Sequence, residues 1–186
     1  MTLLDVDALD GYFATYHTRD AFRWEGLAYY DVDSDDNDYV RYLRGEPEPD
    51  AAGKSEWLDQ LRSDSAAGRS WRRVHILRTP LSDYLRYECE WGYVQNVAAG
   101  EDVRIVDLTE QSLPDPFPDH DFWLLDGQHV VRMHYDSRGR FVGASVPAVD
   151  DVALYRQARD AAWAVARPFT AWWQSHPEFH RAGRST

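Results

Sequence analysis

The residues best placed to do chemistry in this chain are polar side chains set two apart within apolar stretches. Arg23 and Glu25 interrupt AFRWE, Arg73 and His75 interrupt WRRVHIL, and Arg132, His134 and Asp136 interrupt HVVRMHYD. In an extended segment that spacing puts such side chains on one face. If those faces coincide, Arg23, Glu25, Arg73, His75, Arg132 and His134, with Asp126 at a strand end, make a floor of guanidinium, imidazole and carboxylate groups. Such a floor suits a small anionic ligand. The same alternation equally suits the solvent side of a sheet covered on one face, and that plainer reading is the expectation.

Metal and nucleophile chemistry find less support. His176 and His180 are four apart, but Pro177 interrupts the helix that would align them. His129 and His134, five apart on one strand, face opposite ways. His120 lies between Asp119 and Asp121 after Pro118, where turn formation is the simpler role. A single cysteine, Cys89, excludes an internal disulfide and a multi-cysteine zinc cage. No G-x-S-x-G, G-x-x-x-x-G-K-[ST] or G-x-G-x-x-G occurs, so hydrolase and nucleotide-fold readings lose their usual anchors. Neither a metal nor a cofactor is expected. Arg78 and Arg86 have Glu88 and Glu101 as plausible scaffold ion-pair partners. Among eight tryptophans, Trp172 and Trp173 are consecutive. Both should not point inward, so one is expected to be exposed or to cover an interface.

The elements that must position these residues are legible by period. Val6, Leu9, Phe13 and Tyr16 recur at helical spacing, whereas 21–32 alternates as a strand until the acidic turn DSDDND. A short helix is expected around Tyr39–Leu43, and another from Ser55, its cap, through Leu61. A strand over 71–78 precedes a long, deeply packed helix from Ser82 to Ala99, stopped by Gly100. A strand over 101–108 leads to a proline-rich loop. DFWLLDG, QHVVRMHYD and FVGASV then read as a three-strand antiparallel meander. A last helix, capped by Asp150 or Asp151, carries Tyr155, Ala158 and Ala162 and should kink or end at Pro168. This order predicts an α+β fold: an antiparallel or mixed sheet of about five to six strands with helices packed mainly on one face. The helices over 82–99 and 152–173 are both expected on the sheet's apolar face. Residues 1–20 would be a helical segment packed on a single domain over 21–173, with 174–186 a flexible tail.

At 186 residues and 44% hydrophobic, the chain can bury one substantial core. No basic n-region or apolar run of membrane-spanning length is present, so a cytoplasmic protein is expected. Nineteen arginines and Lys54 face 32 acids, a formal charge of −12 that disfavours direct nucleic-acid binding and suits a basic protein partner.

RVHILRTPLSDYLRYE, AGEDVRIVDL and DFWLLDGQHVVRMHYDSRGRFVGA, together with AFRWE, resemble a bacterial domain family of unknown function whose genes often lie beside Xre-type helix-turn-helix regulators. The resemblance covers roughly residues 10 to 173 and brings no catalytic residue. It implies a regulatory or interaction role beside a DNA-binding protein. The resulting expectation is a non-enzymatic accessory protein acting by protein contact. Two alternatives stand beside it: a small biosynthetic enzyme using Arg132, His134 and Asp126 or Glu25, and an acidic immunity-like inhibitor.

Overall fold

The computed structural model describes residues 3–31, 36–50, 52–113 and 117–181. Parts of the acidic turn and of the proline-rich loop, and the end of the expected tail, lie outside them. Among the described residues the fold is α+β, built on a mixed sheet of seven strands in the order β6-β5-β4-β1-β2-β3-β7. β1 (Asp20–Glu25), β2 (Ser70–Leu77) and β3 (Asp102–Asp107) run parallel. β4 (Phe122–Leu125), β5 (His129–Tyr135) and β6 (Phe141–Ser145) form the expected antiparallel meander on the β1 edge. The strand beyond the expected six is β7 (Arg167–Pro168), two residues paired with β3.

Local chemistry explains most boundaries. The three-residue β4–β5 loop, 126–128, is closed by Gln128 N donating to the Leu125 carbonyl, a tight turn whose central residues Asp126 (φ 52°) and Gly127 (φ 68°) are both in the left-handed region, as type I′ geometry requires. α1 (Val6–Tyr16) starts at Asp5, whose carboxylate accepts from Ala8 N. α2 (Asp36–Leu43) and α3 (Ser55–Ala66) lie between β1 and β2. Lys54, not Ser55, occupies the cap position of α3; the Ser55 hydroxyl instead donates to the Ala52 carbonyl. α4 (Asp83–Tyr87) is capped by Ser82 and continues through a π-helical stretch, Glu88–Tyr93, into α5 (Val94–Ala99), which ends at left-handed Gly100. α6 (Val152–Val165) follows a 3₁₀ turn with no cap bond from Asp151. The helix stops before Pro168, and α7 (Phe169–Gln174) begins after it.

Helices do pack mainly on one face of the sheet, but the 82–99 helix and α6, expected to share a face, lie on opposite ones. α6 covers one face, where Phe22, Trp24, Val74, Ile76, Val106 and Phe122 meet Tyr155, Ala158 and Ala162. α4, α5 and α7 cover the other face, over Leu77, Val103 and Ile105, while α1 and α3 pack around Trp71. β1, β2 and β3 are therefore sandwiched, and neither of their faces is a solvent face. This is the usual state of parallel strands, whose crossover helices must lie against the sheet. Among the described residues, no helix is long and apolar enough to cross a membrane.

Candidate functional site

Pairing of β1 with β2 sets Arg23 beside Arg73 and Glu25 beside His75. Alternation points all four toward α4 and α5, where Arg23, Glu25 and His75 are buried, 3%, 5% and 0% exposed, and Arg73 is partly buried. Two guanidinium groups side by side on neighbouring strands need anions between them. Glu25 Oε1 provides that, accepting from Arg73 Nη1 at 2.7 Å and from Arg23 Nε at 3.1 Å. Asp121 Oδ2 takes Arg23 Nη2 at 2.9 Å and Glu101 Oε1 takes Arg73 Nε at 2.9 Å. Tyr30 donates to Asp121 at 2.6 Å, Arg23 donates to the Tyr135 hydroxyl at 2.7 Å, and Asn96 Nδ2 donates to Glu101 at 2.7 Å.

The charges respond to this packing. Burial alone would raise the Glu25 pKa, but Arg73, Arg23 and His75 outweigh it and hold the carboxyl well below its usual range. Burial disfavours the charged form of Arg23, yet Tyr135, Asp121 and Glu25 raise its pKa above the ordinary arginine value. For Asp121 burial wins: its pKa is raised despite Arg23.

The wall opposite this floor comes from the π-helical stretch. Its wider turn carries both Glu88 and Tyr93 toward the sheet, and insertions of this kind recur at functional sites. Burial holds the His75 pKa below the imidazole value. Its Nε2 lies 3.1 Å from the Leu27 carbonyl, which can only accept, so Nε2 carries the proton and Nδ1 is the acceptor. Tyr93 is then a single O–H between two acceptors, His75 Nδ1 at 2.6 Å and Glu25 Oε2 at 3.1 Å. Burial and the nearby Glu88 and Glu25 push the Tyr93 pKa well up, so it is a phenol at neutral pH. Glu25, His75 and Glu88 also bring one ligand atom each within 4.8 Å, but Glu25 is already engaged by both arginines.

A cavity of about 780 Å³ opens over this floor, lined by Arg23, Glu25, Arg73, Tyr93 and Asn96, with Lys54 and Arg140 also on its walls. Two buried atoms belonging to its lining have no hydrogen-bond partner among the described residues: Arg23 Nη1, a donor, and Asn96 Oδ1, an acceptor. Each such orphan costs about 1–3 kcal/mol. Both atoms are covered by their neighbours, so a ligand that supplies one acceptor and one donor pairs with them only when those neighbours shift aside.

Four of the seven polar residues expected to form the floor meet here, and three do not. Arg132 and His134 lie on the α6 face, where Arg132 bonds the Tyr155 hydroxyl and His134 Nε2 lies 2.7 Å from Ser145 Oγ. His134 borders a separate cavity of about 740 Å³ near the carboxyl ends of β1 and β2. Asp126 is at the β4–β5 turn, where it accepts from the Thr18 hydroxyl and from the backbone N–H groups of Thr18, Arg19 and Asp20. Trp172 and Trp173 are both buried, 0% and 8% exposed. His176 and Phe179 pack on Trp172 and His180 on Trp173, so the segment expected as a frayed tail folds back and covers both indoles. Glu101 pairs with Arg73, not with Arg78 or Arg86. Tyr30, Tyr93, Asn96 and Asp121 complete the site without a motif of their own; their one local signal is the helical spacing that sets Tyr93 and Asn96 on one stripe.

Fold and site together define an α+β domain with a buried, charge-paired floor beneath a cavity. The chain belongs to the family described as a domain of unknown function, DUF6879, whose model matches residues 7–174. No curated protein matches it.

Proposed function

We propose that this domain is a non-enzymatic accessory or regulatory protein of the bacterial cytoplasm whose input is a small polar molecule held over Arg23, Glu25 and Asn96. The observation that carries this reading is the pair of orphaned buried atoms, Arg23 Nη1 and Asn96 Oδ1, in the lining of one cavity. Both floor arginines are already matched by carboxylates, so a purely anionic ligand gains little. A zwitterion or carboxamide, offering an acceptor and a donor, satisfies both atoms. The family resemblance supplies the output, a neighbouring Xre-type helix-turn-helix regulator, and the charge of −12 suits a basic partner. With Trp172 and Trp173 buried, that contact has to use other surface.

Thermal melts with amino acids, amides and short carboxylates test the reading. At about 100 times Kd a ligand adds about 2.7 kcal/mol, a rise of several degrees in Tm. The shift should come from zwitterions or amides and disappear in Asn96→Ala and Arg23→Lys. A library with no stabilising member, or equal shifts in wild type and both variants, defeats the proposal.

One observation favours a second reading. Tyr93, hydrogen-bonded to His75 and Glu25 in the cavity wall, is placed to pass a proton to a bound molecule. Chemical change of a stabilising ligand, lost in Tyr93→Phe, would favour an enzyme.

A further inference from the structure

Asp107, Glu110 and His176 form a second cluster, and none of the three lines either cavity described above. Asp107 ends β3, Glu110 closes the turn that follows, and His176 comes from the segment after α7. A carboxylate oxygen from each acid and a ring nitrogen of His176 lie within 4.8 Å of one another.

We propose that these three residues bind one first-row divalent transition ion, of the Zn²⁺ or Mn²⁺ type, which ties the C-terminal segment to the end of β3. Three features of the cluster support this. Asp107 is 1% exposed; its Oδ1 accepts from Thr109 N at 2.8 Å, while its buried Oδ2 accepts from no donor among the described residues. A buried carboxylate oxygen without a partner is costly, and a cation is what removes the cost.

The second feature is the imidazole. His176 Nδ1 lies 2.8 Å from the Trp172 carbonyl, which can only accept, so Nδ1 carries a proton. In the neutral ring Nε2 is then a lone pair, 3.1 Å from Glu110 Oε1. Two acceptors at that distance repel unless a positive charge lies between them. Donors each about 2.1 Å from one ion sit about 3.0–3.4 Å apart. An imidazole whose other nitrogen donates to a backbone carbonyl is also the usual arrangement of a metal-ligating histidine.

The third is access. Glu110 is 43% exposed and Arg167 binds its other oxygen, Oε2, at 3.3 Å, leaving Oε1 for the ion. One nitrogen and two carboxylates select Zn²⁺, Mn²⁺, Fe²⁺ or Co²⁺ over Mg²⁺ and Ca²⁺.

The plain competitor is a protonated His176 paired with Glu110, which binds no metal. The full chain, stripped with a chelator, is titrated with Zn²⁺ in calorimetry and with Co²⁺ in visible absorption, in buffer containing Mg²⁺. The expected result is one ion per chain, a Co²⁺ ligand-field band and a Tm raised by Zn²⁺. Glu110→Gln, at an exposed position, should melt like the metal-free wild type yet bind Zn²⁺ about tenfold or more weakly. His176→Gln should lose the Co²⁺ band. No heat and no band, or unchanged affinity in both variants, overturns the site; the second outcome would assign binding to a histidine outside the cluster.

Discussion

Within residues 22–25 of β1 the two strand faces are equally buried and chemically opposite. Phe22 and Trp24 point to α6, while Arg23 and Glu25, interleaved with them, point to α4 and α5; all four are at most 5% exposed. On the α6 side Ala158 and Ala162 bring the helix close to the sheet, and dispersion and apolar burial hold the contact. On the other side the same strands hold reciprocal ion pairs and leave room for a cavity. Buried ion pairs stabilise a fold poorly compared with apolar packing of similar volume. The charged face is therefore the one whose composition calls for a functional explanation.

The largest effects separate the faces by mechanism. Phe122→Ala, which empties a fully buried site between Trp24 and Tyr155, should cost about 3–5 kcal/mol, equally at pH 7 and pH 5 in urea melts. Arg23→Ala should cost about as much at pH 7, roughly 3–5 kcal/mol, because it strands Asp121 and half-strands Glu25. Its loss should shrink toward pH 5. Asp121 already has a raised folded pKa, so its protonated form is favoured in the fold and stability returns as pH falls. A pH-independent loss in Arg23→Ala would mean that the two faces do not differ in this way.

A smaller effect tests whether acid sensitivity belongs to the charged face at all. Burial would raise the Asp126 pKa, but the Thr18 hydroxyl and three backbone N–H groups hold it down to about 2. A depressed carboxylate contributes stability that is complete above its unfolded pKa of about 4 and is lost as pH falls through the folded value. Asp126→Asn should cost about 1–2 kcal/mol at pH 7, with the gap to wild type closing between pH 4 and pH 2. If the gap stays constant over that range, acid sensitivity resides in Glu25 and its arginines.

Much of this was legible because it is local. The Asp126–Gly127 turn, the Gly100 stop and the break at Pro168 follow from backbone preferences of single residues. The π-helical stretch was not legible, since Glu88 to Tyr93 carry an ordinary helical pattern and the extra residue per turn reflects how the helix meets the sheet. The pair Trp172 and Trp173 misled for a related reason. Neighbours on a helix point about 100° apart, and both can be buried once a later segment covers the second side.

The sequence by itself determined which side chains share a strand face: Arg23 with Glu25, Arg73 with His75, Arg132 with His134, because the period of two is a property of the extended backbone. Only the tertiary structure decided that the first two pairs meet and the third lies across the sheet, and that the shared face is roofed by Tyr93 and Asn96. Those outcomes depend on strand order, register and the side each crossover helix takes. They are set by contacts between residues as far apart as Arg23 and Asp121, which local sequence pattern does not encode.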